Sequence, residues 1–339
     1  MNTRLFSRLA MFATMLAIVV VLLGAYTRLA DAGLGCPDWP GCYGHVGVPK
    51  HSDDVHAANQ AWPERPVEAS KAWKEMIHRY FAGTLGLFVF ALLVIALRNR
   101  HDPKQQIGLP IFLGLLIVFQ ALLGMWTVTI KLNPTIVMGH LMGGFATLSI
   151  LAWLSLRHSD FFAERRGEMV ALNKLHMPAL IALIVVVIQI MLGGWTSSNY
   201  AALACADDFP MCLGQWWPQT DFKEGFVLWR GTEINFEFGV LKNDARAAIH
   251  LTHRIGAVIT TLVLVWLALK LLAFRQARVV NKLAILLICV LLSQIGLGIA
   301  NVVLSLPLGI AVIHNGVGAL LLLTLVTINH AIRPRSEAI

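Results

Sequence analysis

The stretch LLGAYTRLADAGLGC, Leu22–Cys36, returns later in the chain as MLGGWTSSNYAALAC, Met191–Cys205. In both copies an apolar run passes through a glycine, Gly24 or Gly193, and a cysteine follows 12 residues on, Cys36 or Cys205. Similarity at a long period decides architecture, so it is followed outward first. IHRYFAGTLG (77–86) pairs with THRIGAVITT (252–261). His78 precedes His140 by 62 residues, and His253 precedes His314 by 61. The chain reads as one plan written twice, over about 10–157 and 176–330.

The plan is membranous. Of 339 residues, 57% are apolar and 14% charged, with a mean hydropathy of +0.68. A soluble domain carries about 25% charged residues. Eight apolar segments reach the roughly 20 residues that a bilayer crossing takes. They lie near 9–29, 79–97, 107–128, 135–156, 176–196, 250–273, 283–303 and 308–329. Such runs are helical, because a spanning segment must satisfy its own backbone hydrogen bonds. The expected fold is all-α and integral to the membrane: eight transmembrane helices in two four-helix bundles. An even number of helices per copy makes the copies parallel, whereas inverted repeats need an odd number. The units are 1–157, a cytoplasmic linker 158–175, and 176–339. The first segment follows Arg4 and Arg8 in the manner of a signal peptide. Its place in the repeat argues for retention.

The net charge of +8 is scattered between apolar segments, which excludes a nucleic-acid-binding patch. Lys and Arg gather in alternate loops and at both termini, while 14 of the 19 acids fall in two long loops, 30–78 and 197–249. The positive-inside rule puts both termini in the cytoplasm and the long loops outside. Those loops hold four of the five cysteines, in CPDWPGC and CADDFPMC. An oxidising exterior favours the disulfides Cys36–Cys42 and Cys205–Cys212. Free or metal-binding thiols are the alternative. Cys289, alone in a helix, is read as packing.

His78 and His140 lie at similar depth on two helices of the first copy, and His253 and His314 do so in the second. His140 stands six residues, about 9 Å, below Pro134 at the outer helix end. Two imidazoles at one depth suit ligation of a metal-centred macrocycle from both faces. Ionisable groups at such depth mark function. His45, His51, His56, His101, His158, His176 and His330 are read as solvated or interfacial. Arg79 and Arg254 follow the outer histidines and suit bidentate pairing with propionates; anchoring by snorkelling is the other reading. Glu75 and His250 each stand three residues before a histidine, on the same helix face. A carboxylate beside one centre only points to proton transfer there; its plainer role is a charge favoured at a helix N-terminus. Three related stretches, QALLGMWT (120–127), QIMLGGWT (189–196) and SQIGLGIAN (293–301), are read as small-residue packing, with a flat ligand against the glycines as the alternative.

EMIHRYFAG, MGHLMGG, HLTHRIGA and IHNGVGALL, taken with the paired cysteines and the twofold plan, resemble the haem A synthase family over about 10–330. The resemblance implies oxidation of a ring methyl of haem O to the formyl group of haem A, for cytochrome oxidase biogenesis. It implies axial ligation of the substrate haem by His78 and His140, a resident haem b on His253 and His314, and catalysis at Glu75. It further implies the inner membrane of a bacterium. Haem O synthase, an electron donor and further copies of the chain stay open as partners. The alternative is a di-haem electron carrier of the cytochrome b kind, using the same four histidines on quinols.

Overall fold

A computed structural model describes residues 3–102, 105–158, 170–274 and 278–333. Lys104, Arg165, Arg166, Arg275 and Arg335, expected on the cytoplasmic side, lie outside them, as does most of the 158–175 linker. Among the described residues ten α-helices run in order: α1 (Thr3–Leu29), α2 (Ser52–Ala61), α3 (Ala69–Arg98), α4 (Gly108–Thr129), α5 (Pro134–Arg157), α6 (His176–Ser198), α7 (Phe222–Gly225), α8 (Asn243–Leu272), α9 (Arg278–Val303) and α10 (Leu308–Ile332). A short 3₁₀ helix, Val170–Leu175, precedes α6. Eight of the ten are long and apolar enough to cross a membrane, all but α2 and α7. Among the described residues there is no strand, only the isolated bridges Cys42–His45 and Cys212–Gln215.

Helices α3 and α8 begin at Ala69 and Asn243, well before the apolar runs that announce them. The polar residues of these overhangs hide them from a count of apolar positions. Consequently Glu75, His78 and Arg79 stand two to three turns inside a helix rather than at its mouth.

In the first copy α1 packs on α3 and α5, and α4 on α3 and α5; in the second α6 packs on α8 and α10, and α9 on α8 and α10. The copies meet where α1 touches α10, α5 touches α10 and α5 touches α6. Lipid offers no hydrophobic drive for helix association, so close approach and hydrogen bonds carry it. Helix α1 supplies the stripe Phe6, Ala10, Ala13 and Ala17, fully buried at helical spacing. Asn329 on α10 donates to Ala179 O on α6 at 3.0 Å, a bond worth about 0.6 kcal/mol in such a setting. The faces turned away are broad and apolar, with Leu87, Leu115, Leu262 and Leu292 exposed. Water would not tolerate so large a band, and a bilayer does.

Equivalent turns repeat. The α4–α5 connection has Lys131 and Leu132 at positive φ, and the α9–α10 connection has Ser305 and Leu306. Leu132 N donates to Thr127 O, and Leu306 N to Asn301 O, closing both helices with the same motif. Pro134 then opens α5 behind Asn133, whose side chain accepts from Thr135 N at 3.1 Å.

Candidate haem-binding site

Each of the four histidines faces a glycine on the preceding long apolar helix. A Cβ at Gly24 would stand 3.0 Å from Cε1 of His78, one at Gly124 3.4 Å from that of His140, one at Gly193 3.2 Å from that of His253, and one at Gly298 3.3 Å from that of His314. The glycines of the small-residue stretches therefore seat imidazoles, which joins the packing reading to the ligand one. A glutamine stands one turn before three of these glycines. Gln189 Nε2 lies 3.0 Å from His253 Nδ1 and donates to His253 O. Gln294 Nε2 lies 3.3 Å from His314 Nε2. Gln120 Nε2 is buried with no partner, as are Nδ1 of His78, His140 and His314.

The rings of His78 and His140 are 6.4 Å apart between centroids and nearly perpendicular. Both line a cavity of about 950 Å³ that also takes in Gly24, Glu75, Arg79 and Gln120. That is the top of the usual range for ligand pockets, about 300–1,000 Å³. Among the described residues no three His, Cys, Asp or Glu converge on a point. Two imidazoles with free nitrogens, glycine seats beside them and a large apolar cavity fit a haem, whose macrocycle brings its own four nitrogens.

Glu75 is buried in the cavity wall. Its Oε2 accepts from Cys36 N at 2.9 Å, and its Oε1 from Arg79 Nη2 at 2.5 Å. Arg79 Nη1 reaches Asp38 O, Pro40 O and Gly41 O at 2.9, 3.3 and 2.5 Å. Arg254 does the same in the second copy, donating to Asp208 O, Pro210 O and Met211 O, with Nε on His250 Nε2 at 3.1 Å. Each arginine thus holds down a cysteine loop, and each takes its fourth partner one helical turn back. That partner is a carboxylate in one copy and an imidazole in the other. The donor inventory of a guanidinium leaves Arg79 its Nε–H and one Nη2 N–H, and leaves Arg254 one Nη2 N–H.

The loops are built alike. Cys36–Cys42 and Cys205–Cys212 are disulfides, with Cα–Cα distances of 4.9 and 4.5 Å. After each, Tyr43–Gly44 and Leu213–Gly214 turn with positive φ at both positions, the type I′ geometry that glycine favours. The acid between the cysteines caps that turn: Asp38 accepts from Tyr43 N and Gly44 N, and Asp208 from Gly214 N. Burial pushes the Tyr43 phenol up from its ordinary pKa.

The second outer loop crosses onto the first copy. Phe236 is buried with Leu34, Val128 and Leu132. Phe236 N donates to Lys131 O, Asn133 Nδ2 to Gly231 O, and Thr135 Oγ1 to Leu228 O. Arg65 pairs with Glu237 through two bonds, at 2.7 and 3.3 Å. From below, Arg28 donates to Ser197 O at 2.8 Å and stacks 4.0 Å from the Tyr200 ring centroid. The stretch Gln215–Pro218 stands apart from this cover, with Trp216 and Trp217 exposed.

Two sequence expectations are corrected. His330, near the end of α10, is not solvated but buried, edge-on to Trp153 at 5.0 Å. Cys289 does not pack between helices; it is exposed on α9. The capping acids, the three glutamines and Arg28 escaped the sequence reading, although the recurring Gln-x-x-x-Gly spacing could have singled out the glutamines.

The chain matches the profile of the COX15-CtaA family, described as cytochrome oxidase assembly protein, over residues 7–326. A protein of Shewanella oneidensis named heme A synthase is 50% identical over 325 residues, covering 95% of this chain and 94% of that one. Proteins of the same name from Caulobacter vibrioides and Shouchella clausii are 28% and 26% identical, each covering about nine tenths of both chains. The eight crossings, the histidine pairs and this likeness along nearly the whole length place the chain in the COX15-CtaA family of multi-pass membrane proteins.

Proposed function

We propose that the chain is a haem A synthase, oxidising the ring methyl of haem O to the formyl group of haem A for cytochrome oxidase. The observation that carries this is the asymmetry of the two copies: His78 and His140 share their cavity with a buried carboxylate, and His253 has His250 in the matching place. A di-haem electron carrier has no use for that difference. His78 and His140 hold the substrate haem, and His253 and His314 hold a resident haem b. When bound, a haem supplies redox-active iron and, in the first copy, the methyl to be oxidised. Gly24 and Gly193 keep the outer imidazoles seated. Glu75 would hold and release protons at its carboxylate, which Cys36 N and Arg79 keep in place. The N–H groups left over on Arg79 and Arg254 meet propionates.

The units are 1–157 for substrate and 176–339 for haem b, two parallel four-helix bundles joined by 158–175. The repeated turns and glycine seats support that division. Both termini are cytoplasmic in a bacterial inner membrane, with the disulfide loops outside. Haem O synthase and an electron donor are the partners that this chemistry calls for. The experiment is Glu75→Gln, which keeps the shape and removes the charge. We expect haem A to fall at least tenfold while haem b on the second copy stays constant. Unchanged haem A output would refute the role.

A further inference from the structure

The cavity is not confined to the neighbourhood of the histidines. On α3 it runs from Glu75 to Phe90, 15 residues and about 22 Å of helix. Below the histidine level its wall is apolar, with Leu85, Phe90, Ile117 and Val118. Some wall residues also belong to the face turned to lipid. Gly83 and Phe90 on α3, and Val118 and Ala121 on α4, both line the cavity and are exposed. Phe90 is 44% and Val118 47% exposed. Their neighbours Leu87 and Leu122 are exposed without lining it.

The two helices explain the gap. They close tightly lower down, where a Cβ on Gly114 would be 2.9 Å from Leu93 Cδ2. Above that, a Cβ on Gly86 would find only Ile117, at 3.9 Å, and one on Gly83 would find nothing within 4 Å. The second copy carries larger side chains at the matching sequence positions, with Val258 61% exposed. Counting from His78 and His253, Gly83 corresponds to Val258 and Gly86 to Thr261; counting from Gly124 and Gly298, Ala121 corresponds to Ile295. One more feature points to a ligand. Gln120 lines the cavity, is 7% exposed, and has an Nε2 with no partner, unlike Gln189 and Gln294 in the second copy. A buried, unpaired amide donor is costly unless something accepts from it.

We propose that the gap between α3 and α4, framed by Gly83, Gly86, Phe90, Val118 and Ala121, is a side portal to the bilayer that receives the long isoprenoid tail of the substrate haem. The proposal rests on the assignment of His78 and His140 to that haem. The macrocycle sits at the histidines, and the tail passes below them and out between the helices. The ligand therefore loads and leaves through lipid, never crossing water with its tail exposed. The copy holding a haem that stays put carries the bulkier Val258, Thr261 and Ile295 at the matching positions.

The test grafts the bulkier residues of the second copy onto the first: Gly83→Val, Gly86→Thr and Ala121→Ile in the full chain, purified in lipid nanodiscs. Uptake by the first copy is followed by absorption spectroscopy with haem O and, separately, with protohaem, the same kind of macrocycle without the tail. His78→Ala identifies the first-copy signal, and the second-copy spectrum reports folding. The expected result is at least a tenfold slower or weaker uptake of haem O, with protohaem uptake retained. Leu87→Trp, on the same lipid face but off the cavity, should change neither. Equal uptake of haem O by the graft and the parent would overturn the portal while leaving the histidine assignment intact. Failure of the parent to take up either haem at His78 would overturn that assignment, and the portal with it. If the triple graft does not fold, Ala121→Ile alone carries the same comparison.

Discussion

Arg79 and Arg254 look interchangeable in the sequence and differ in what they hold. Both satisfy three carbonyls of a cysteine loop. Arg79 also neutralises Glu75, with side-chain exposures of only 12% and 6% for the pair. Removing one partner of a buried ion pair leaves an uncompensated charge, at about 3–5 kcal/mol. Arg254→Ala strands carbonyls and an imidazole but no charge, at about 1–3 kcal/mol. Arg79→Ala should therefore lower the thermal midpoint more than Arg254→Ala does. The double variant Glu75→Gln/Arg79→Ala should recover part of the loss, since the stranded charge is gone. Equal midpoints for the two single variants would contradict this account.

At the scale of elements, the repeated unit is a glycine on one helix and an imidazole on the next. A β-branched residue at Gly24 or Gly193 would force the facing ring aside, because even a bare Cβ comes within 3.0 or 3.2 Å of it. Gly193→Val should abolish the second-copy haem spectrum and spare first-copy uptake, and Gly24→Val should do the reverse. Absorption spectra of the purified variants separate the two. These units were half legible in the sequence. The histidines declared themselves through their spacing, and the glycines were visible, but nothing local said which glycine met which histidine. The outward extensions of α3 and α8 were hidden because Lys71, Lys74, Asn243 and Arg246 break the apolar run while leaving the helix intact. The disulfide pairing was legible because six or seven residues of separation leave each cysteine one near partner.

For the whole molecule, the crossing of the second outer loop matters most, and the sequence carried no sign of it. Arg65 and Glu237 are 172 positions apart, and neither sits in a motif. Such a contact follows from how the copies stand together, which no local pattern encodes. Phe236 anchors the crossing, being almost wholly buried between Leu34, Val128 and Leu132. Phe236→Ala should cost about 3–5 kcal/mol locally. We expect it to speed loss of haem from the first copy, measured by transfer to an apoprotein acceptor, with the second-copy haem unaffected. Arg65→Ala, at a partly exposed pair, should have a milder effect of about 1 kcal/mol.

That crossing also sets an order of events during synthesis. Helices α1 to α5 leave the ribosome first, yet the roof over their outer end is made from residues 228–237. The earlier half of the polypeptide cannot be finished until α6 and the loop that follows it have been made and have folded back. A chain stalled between α5 and α6 would thus carry a histidine pair with no roof. Full translation is in this way a condition for a closed reaction chamber.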